Sequence, residues 1–347
     1  MTDSSTPSSK GRTIGDPRRV AHLLLTIAVL TLGFADYWAY SASYRQNPDM
    51  YQDLLQGTGR APEQYRVAIL MLGDFLARHS PLAMRHALAT IDTAAAFVGI
   101  FTLFFLLRRS TAYRQASAVK KWFAAATFLL LVEFYFAWVL WYQRPETLAN
   151  FALIALTLLL LTVPLPLART PLYLATAALM LALSALQGFV RADVGFALHA
   201  GIFFVCLTRA GEGLSLSRPV QASISALALM ITGGIQYDLM HIRYSQARYA
   251  TSVFQLLHNL TSPMEWLAFG LFLMPYVWTA YIALRRQRRI QGPDAALLSA
   301  SILYFAMWIL LGRAKEVRIF LPFALALVPL TVTLALEQFL PEETVSK

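Results

Sequence analysis

The sequence predicts an all-α polytopic membrane protein of about ten transmembrane helices, with interfacial helices in the first outer loop. Three observations lead there. Of 347 residues, 57% are hydrophobic and only 14% charged, where a soluble domain carries roughly 25% charged residues. The charges are confined to short segments between long apolar runs, which is how a membrane chain distributes them. The basic residues gather in two dense stops, 108–121 and 285–289, as topology signals do.

The apolar runs place spans at 20–40, 90–107, 122–142, 148–165, 171–189, 194–207, 220–235, 263–284, 295–311 and 317–336. Each approaches the ~20 residues that cross the hydrocarbon. Pro164, Pro166 and Pro171 separate the fourth span from the fifth. An even count puts both termini on one side, and the two basic stops make that side the cytoplasm of an inner membrane. Residues 1–19 are rich in Ser, Thr, Pro and Gly and read as a disordered cytoplasmic tail. Residues 20–338 form one transmembrane domain, and 339–347 a second short tail. The first run is too long for a cleavable signal peptide and lacks a small-residue cleavage site.

Several function classes fall away on composition. The net charge of +10 sits at span ends, and no soluble domain remains to hold a nucleic acid. The single cysteine, Cys206, lies in an apolar run and allows neither a disulfide framework nor a cysteine metal site. Neither a phosphate-binding Gly-x-x-x-x-Gly-Lys loop nor a Gly-x-Gly-x-x-Gly turn occurs, so the chain carries no ATPase of its own.

Two long outer segments remain, 41–89 and 236–262. In the first, 49–56 suits a short amphipathic helix ended by Gly57 and Gly59. Pro62 then opens a helix to Arg78, with Glu63 at the positive end of its dipole. Arg66, Asp74 and Arg78 fall on one side at helical spacing, which predicts an interfacial helix lying on the membrane. The second segment carries Tyr237, His241, Arg243, Tyr244, Arg248, Tyr249 and His258, a density that suits stacking and hydrogen bonding to a sugar. Asn259-Leu260-Thr261 matches a glycosylation sequon, a pattern common by chance.

A first span followed by a long outer loop with interfacial helices resembles the opening module of the GT-C glycosyltransferases. The stretch Gln64-Tyr65-Arg66-Val67 and the segment Glu316-Val317-Arg318 leading to Pro322 are similar to stretches in GT-C-like bacterial proteins. The resemblance implies transfer of a sugar from a polyprenyl-phosphate donor to an acceptor at the outer face. It implies Asp36, in Gly33-Phe34-Ala35-Asp36-Tyr37-Trp38, as catalytic base or metal-binding group, with a divalent cation as the one cofactor admitted. Tyr65, Arg66, His241, Arg243, Glu316 and Arg318 are the substrate-binding candidates. No paired acidic motif follows the first span, and no large C-terminal outer domain is present.

Two residue-level alternatives stay open. Asp36 is equally the polar end of a helix beside the aromatic belt of Tyr37, Trp38 and Tyr40. Glu133 falls midway along the third span, where a carboxylate costs ~2.5–3.5 kcal/mol, so it lines a polar path or bonds a neighbouring helix. The first option would make the chain a transporter or flippase without a motor. A non-catalytic partner in polysaccharide assembly is the third class. Glu316 and Arg318, two apart, would point to different sides of a helix and not pair.

Overall fold

In the computed structural model the described residues are 17–138, 144, 146–163, 170–249, 254–285 and 290–339. They form helices and no strand. In chain order these are α1 (Pro17–Gln46), α2 (Pro48–Gln56), α3 (Ala68–His79), α4 (Met84–Arg109), α5 (Thr111–Gln115), α6 (Ala118–Ala137) and α7 (Thr147–Thr162). There follow α8 (Thr170–Cys206), α9 (Arg218–Tyr237), α10 (Leu256–Thr261), α11 (Pro263–Arg285), α12 (Gly292–Leu311), α13 (Leu321–Ala326) and α14 (Val328–Phe339). Six segments are long and apolar enough to cross a membrane: Leu23–Gln46, α4, α8, α11, α12 and the combined Leu321–Gln338. The chain is therefore an integral membrane protein. Of the tails expected at 1–19 and 339–347, residues 1–16 and 340–347 lie outside the described residues, and Pro17 to Arg19 already belong to α1.

The helix count conceals a hairpin. Within α8 the backbone of Arg191 leaves the helical region (φ −161°, ψ 96°). The halves on either side run antiparallel, because a Cβ on Gly195 would lie 3.5 Å from Gln187 Cγ, whereas eight residues of straight helix span about 12 Å. The first half runs alongside α9: Ser184 donates to the Ala228 carbonyl at 3.1 Å, and Gly188 faces Ile235 at 3.1 Å. The second half packs on α12, where Gly201 sits directly on the backbone of Ala300.

The last helices form the axis. Of the Leu321–Gln338 window, 78% is buried inside the protein, with Phe320, Phe323, Ala324 and Leu325 fully enclosed by α4, α6, α7 and α12. Residues of both long outer segments, among them Ala61 to Arg66, Gln236, Tyr249 and Gln255, gather at one end of this bundle with Arg144, Glu146, Arg191 to Asp193 and 312–319. The basic stop at the end of α4 and the start of α12 lie at the other.

The expected helix 62–78 is broken. Pro62 follows a cis peptide bond and starts a single 3-10 turn, Glu63–Tyr65, and α3 begins only at Ala68. Gln64 causes the interruption: its side chain accepts from Gly59 N–H (2.7 Å) and donates to the Leu54 carbonyl (3.0 Å), and Tyr65 donates to the Ala247 carbonyl (3.1 Å). Arg66 consequently points away from Asp74 and Arg78, which pair with each other at 2.9 Å. The rest of α3 keeps the amphipathic character, with Ile69 and Leu70 buried and Met71, Leu72 and Phe75 exposed. In α2, Gly57 closes the helix in the left-handed region at φ +79°.

The close crossing of α8 and α12 is testable. A Cβ at position 201 would stand 2.5 Å from Ala300 N, so Gly201→Ala should lower the thermal stability of detergent-purified protein by about 1–3 kcal/mol. Gly234→Ala, which meets nothing within 4 Å, should leave stability within about 0.5 kcal/mol.

Candidate functional site

A cavity of about 600 Å³ opens where the loop segments converge. Its walls come from the 3-10 turn after Pro62, the start of α7, the turn of α8, the end of α9, the end of α12 and the approach to α13. Five arginines (66, 144, 191, 313 and 318) and four carboxylates (Glu63, Glu146, Asp193 and Glu316) line it.

Arg191 and Asp193 form its base. The hairpin turn puts both side chains between α8 and α12, with the Arg191 side chain only 2% exposed. Arg191 Nε donates to Asp193 Oδ1 at 3.2 Å, and its Nη2 reaches both Oδ2 and the Tyr304 hydroxyl. The guanidinium also lies 5.7 Å over the Trp308 ring. Trp308 Nε1 donates to Asp193 Oδ2 at 3.0 Å. Tyr304 lies within donating distance of that same oxygen (3.3 Å) and of the Ile319 carbonyl (3.0 Å). Arg66 adds a contact to Asp193 at 4.0 Å and an ion pair to Glu146 at 3.2 Å. A buried charge is tolerable when paired and hydrogen-bonded, and here α12, the approach to α13 and the first loop supply the partners.

The lip of the cavity is more open. Arg318 pairs with Glu316 at 3.3 Å, contrary to the helical-spacing expectation, because Glu316 precedes a 3-10 turn and has backbone angles of φ −76° and ψ 58°. Arg144 pairs with Glu63 at 3.5 Å. Arg313 has no ion pair among the described residues, and it is held in place by its neighbours. Asn259 donates to the Ile309 and Gly312 carbonyls, both at 2.8 Å, and accepts from Ala314 N–H at 3.1 Å. Glu265 receives both the backbone N–H and the ammonium of Lys315 at 3.1 Å. Asn259 is fully buried in these bonds, which removes it as a glycosylation acceptor. Tyr65 and Tyr249 stand edge to face at 6.4 Å on the same rim, and burial pushes both phenols above their ordinary range. Both stay neutral donors through physiological pH.

Of the residues singled out in the sequence, Tyr65, Arg66, Glu316 and Arg318 meet in this cavity. Asp36 does not line it. It is fully buried between α1 and α4, with Thr93 Oγ1 donating at 3.4 Å and the carboxyl of Asp92 beside it. Neither Asp92 oxygen meets an N–H or hydroxyl donor among the described residues. His241 and Arg243 lie on the exposed surface of a π-helical turn, Asp238–Arg243. His241 stacks on Tyr237, and Arg243 pairs with Asp238 at 2.9 Å. Glu133 is exposed on the outside of α6 and lines neither this cavity nor the one at the opposite end. Among the described residues no three His, Cys, Asp or Glu side chains converge as a metal site.

Sequence reasoning missed Glu146, Arg191, Asp193, Tyr304 and Trp308. The available signal was Arg191-Ala192-Asp193, an ion-pair-competent tripeptide set between two apolar runs. Compared with known protein families, curated proteins and solved structures, the chain matches none.

Asp193→Asn should cost about 3–5 kcal/mol, the usual penalty for leaving a buried guanidinium unpaired. Arg313→Gln, at the open lip, should stay within about 0.5 kcal/mol. Thermal unfolding of the two variants side by side checks the contrast.

Proposed function

We propose that the chain crosses the membrane ten times with both termini in the cytoplasm of an inner membrane, and that the cavity faces outward. On this reading α6, α7 and α9 add three crossings to the six that are long and apolar enough, and the α8 hairpin counts as two crossings in place of one. We further propose that the cavity acts as a GT-C-like transferase site for a polyprenyl-phosphate-linked sugar. The observation that supports this best is that Arg313 and Arg318 both line an arginine-rich cavity, whose wall residue Arg66 leads into the apolar, partly exposed helix α3. Guanidinium groups suit phosphate oxygens bidentately, and Tyr65, Tyr249 and Trp308 offer faces and hydroxyls to a sugar.

In the reaction the acceptor oxygen attacks the anomeric carbon, and the bond from that carbon to the phosphate oxygen breaks. Charge builds on the departing lipid phosphate, where Arg313 and Arg318 stabilise it. Glu316 orients Arg318. The acceptor proton passes to a cavity carboxylate. All four carboxylates pair with an arginine, and Asp193 and Glu146 are the more buried, which leaves Glu63 and Glu316, about a third exposed, as the proton acceptors. Asp36, which does not line the cavity, takes no direct part in this scheme and instead packs α1 on α4 beside Asp92.

Purified protein should transfer sugar from a short-chain polyprenyl-phosphate donor. Arg313→Gln and Arg318→Gln should each weaken donor binding about 10–100-fold, the worth of one charge-assisted hydrogen bond. Glu316→Gln or Glu63→Gln should abolish turnover while Asp36→Asn retains it. Loss of turnover in a folded Asp36→Asn variant, with both glutamine variants active, would return the base to the first helix. Full donor binding in both arginine variants would remove the phosphate site.

A further inference from the structure

A second cavity, of about 420 Å³, lies at the other end of the same helices. α7 presents Thr147 to the first cavity and Thr162 to the second, roughly 22 Å apart at 1.5 Å per residue. Its rim is basic. Arg108 and Arg109 end α4, Arg114 lies in α5, and all three are exposed. One carboxylate, Asp294, lines it with them. Its floor is apolar and buried: Leu107, Leu158, Leu297, Ala326 and Leu330.

We infer that this cavity binds the phosphate headgroup of an anionic glycerophospholipid, with the first methylenes of its chains on the leucine floor. Three guanidinium groups around one cavity with, among the described residues, a single carboxylate give its rim a net positive charge that attracts an anion. The rim is also held in shape. The Ser110 side chain accepts from Tyr113 N–H, Arg109 lies 5.5 Å over the Phe105 ring, and the Lys121 ammonium donates to the Arg114 carbonyl at 3.1 Å. Arginines acting as topology signals alone need no cavity and no floor. A free phosphate ion would use the rim and gain nothing from the leucines, whereas a lipid uses both. Basic pockets between helix ends on the cytoplasmic side take lipid phosphates for this reason. Neither Arg313 nor Arg318 takes part, so the site is separate from the one proposed above.

The test is lipid retention by delipidated, full-length protein in detergent, read by native mass spectrometry. Wild type should retain phosphatidylglycerol at least about tenfold better than phosphatidylcholine, and millimolar inorganic phosphate should not displace it. The double variant Arg108→Gln/Arg114→Gln should lose that preference, while Arg313→Gln/Arg318→Gln keeps it. Equal retention of the two lipids by wild type overturns the proposal without reference to any variant. Displacement by inorganic phosphate would make this a site for the free ion and overturn it too, as would unchanged preference in the Arg108/Arg114 variant.

Discussion

The pairing of Arg191 with Asp193 organises the loop end of this molecule. A guanidinium almost wholly removed from water requires a carboxylate and further hydrogen-bond partners. The partners come from α12 (Tyr304 and Trp308), from the approach to α13 through the Ile319 carbonyl, and from the first loop through Arg66. Each of those elements is far away in the chain. The hairpin within α8 depends on the same contacts, since Arg191 is the residue at which the helix reverses.

That arrangement makes the cavity polar and internally paired at its base, with Arg313 and Arg318 at its lip. Charges at the base are balanced internally, with Asp193 receiving donors from Arg191, Arg66 and Trp308. At the lip, Arg313 is positioned by backbone and side-chain contacts through Asn259 and Glu265 without an ion pair of its own. The parallel bridge between Ala61 and Tyr249 and the bond from Tyr65 to Ala247 join the two long loops across the same opening.

Asp36 and Asp92 are the other buried polar centre. The two carboxyls lie side by side between helices, and Thr93 donates to Asp36. They fix α1 against α4, which in turn carries the wall of α3: Leu88 of α4 meets Gly73 at close range. The pair is thus connected to the cavity through packing, and through proximity to Glu146, without opening onto it.

The sequence by itself determined the all-helical membrane class, because apolar length and charge placement are properties of local segments. It also singled out Tyr65, Arg66, Glu316 and Arg318, which meet in one cavity, since polar and charged residues beside apolar runs stand out without any knowledge of contacts. Only the tertiary structure decided which charges meet. Arg191 and Asp193 look in the sequence like ordinary loop residues between two spans, and their value comes from Tyr304 and Trp308 more than a hundred residues on. Asp36 and Glu133 show the converse. Both are conspicuous carboxylates on apolar helices, but which face of a helix turns to a cavity, to a neighbour or outward is set by helix rotation in the packed bundle. The break at Arg66 has the same origin. Local spacing favours a continuous helix over 62–78, and the bonds from Gln64 and Tyr65 to distant backbone interrupt it.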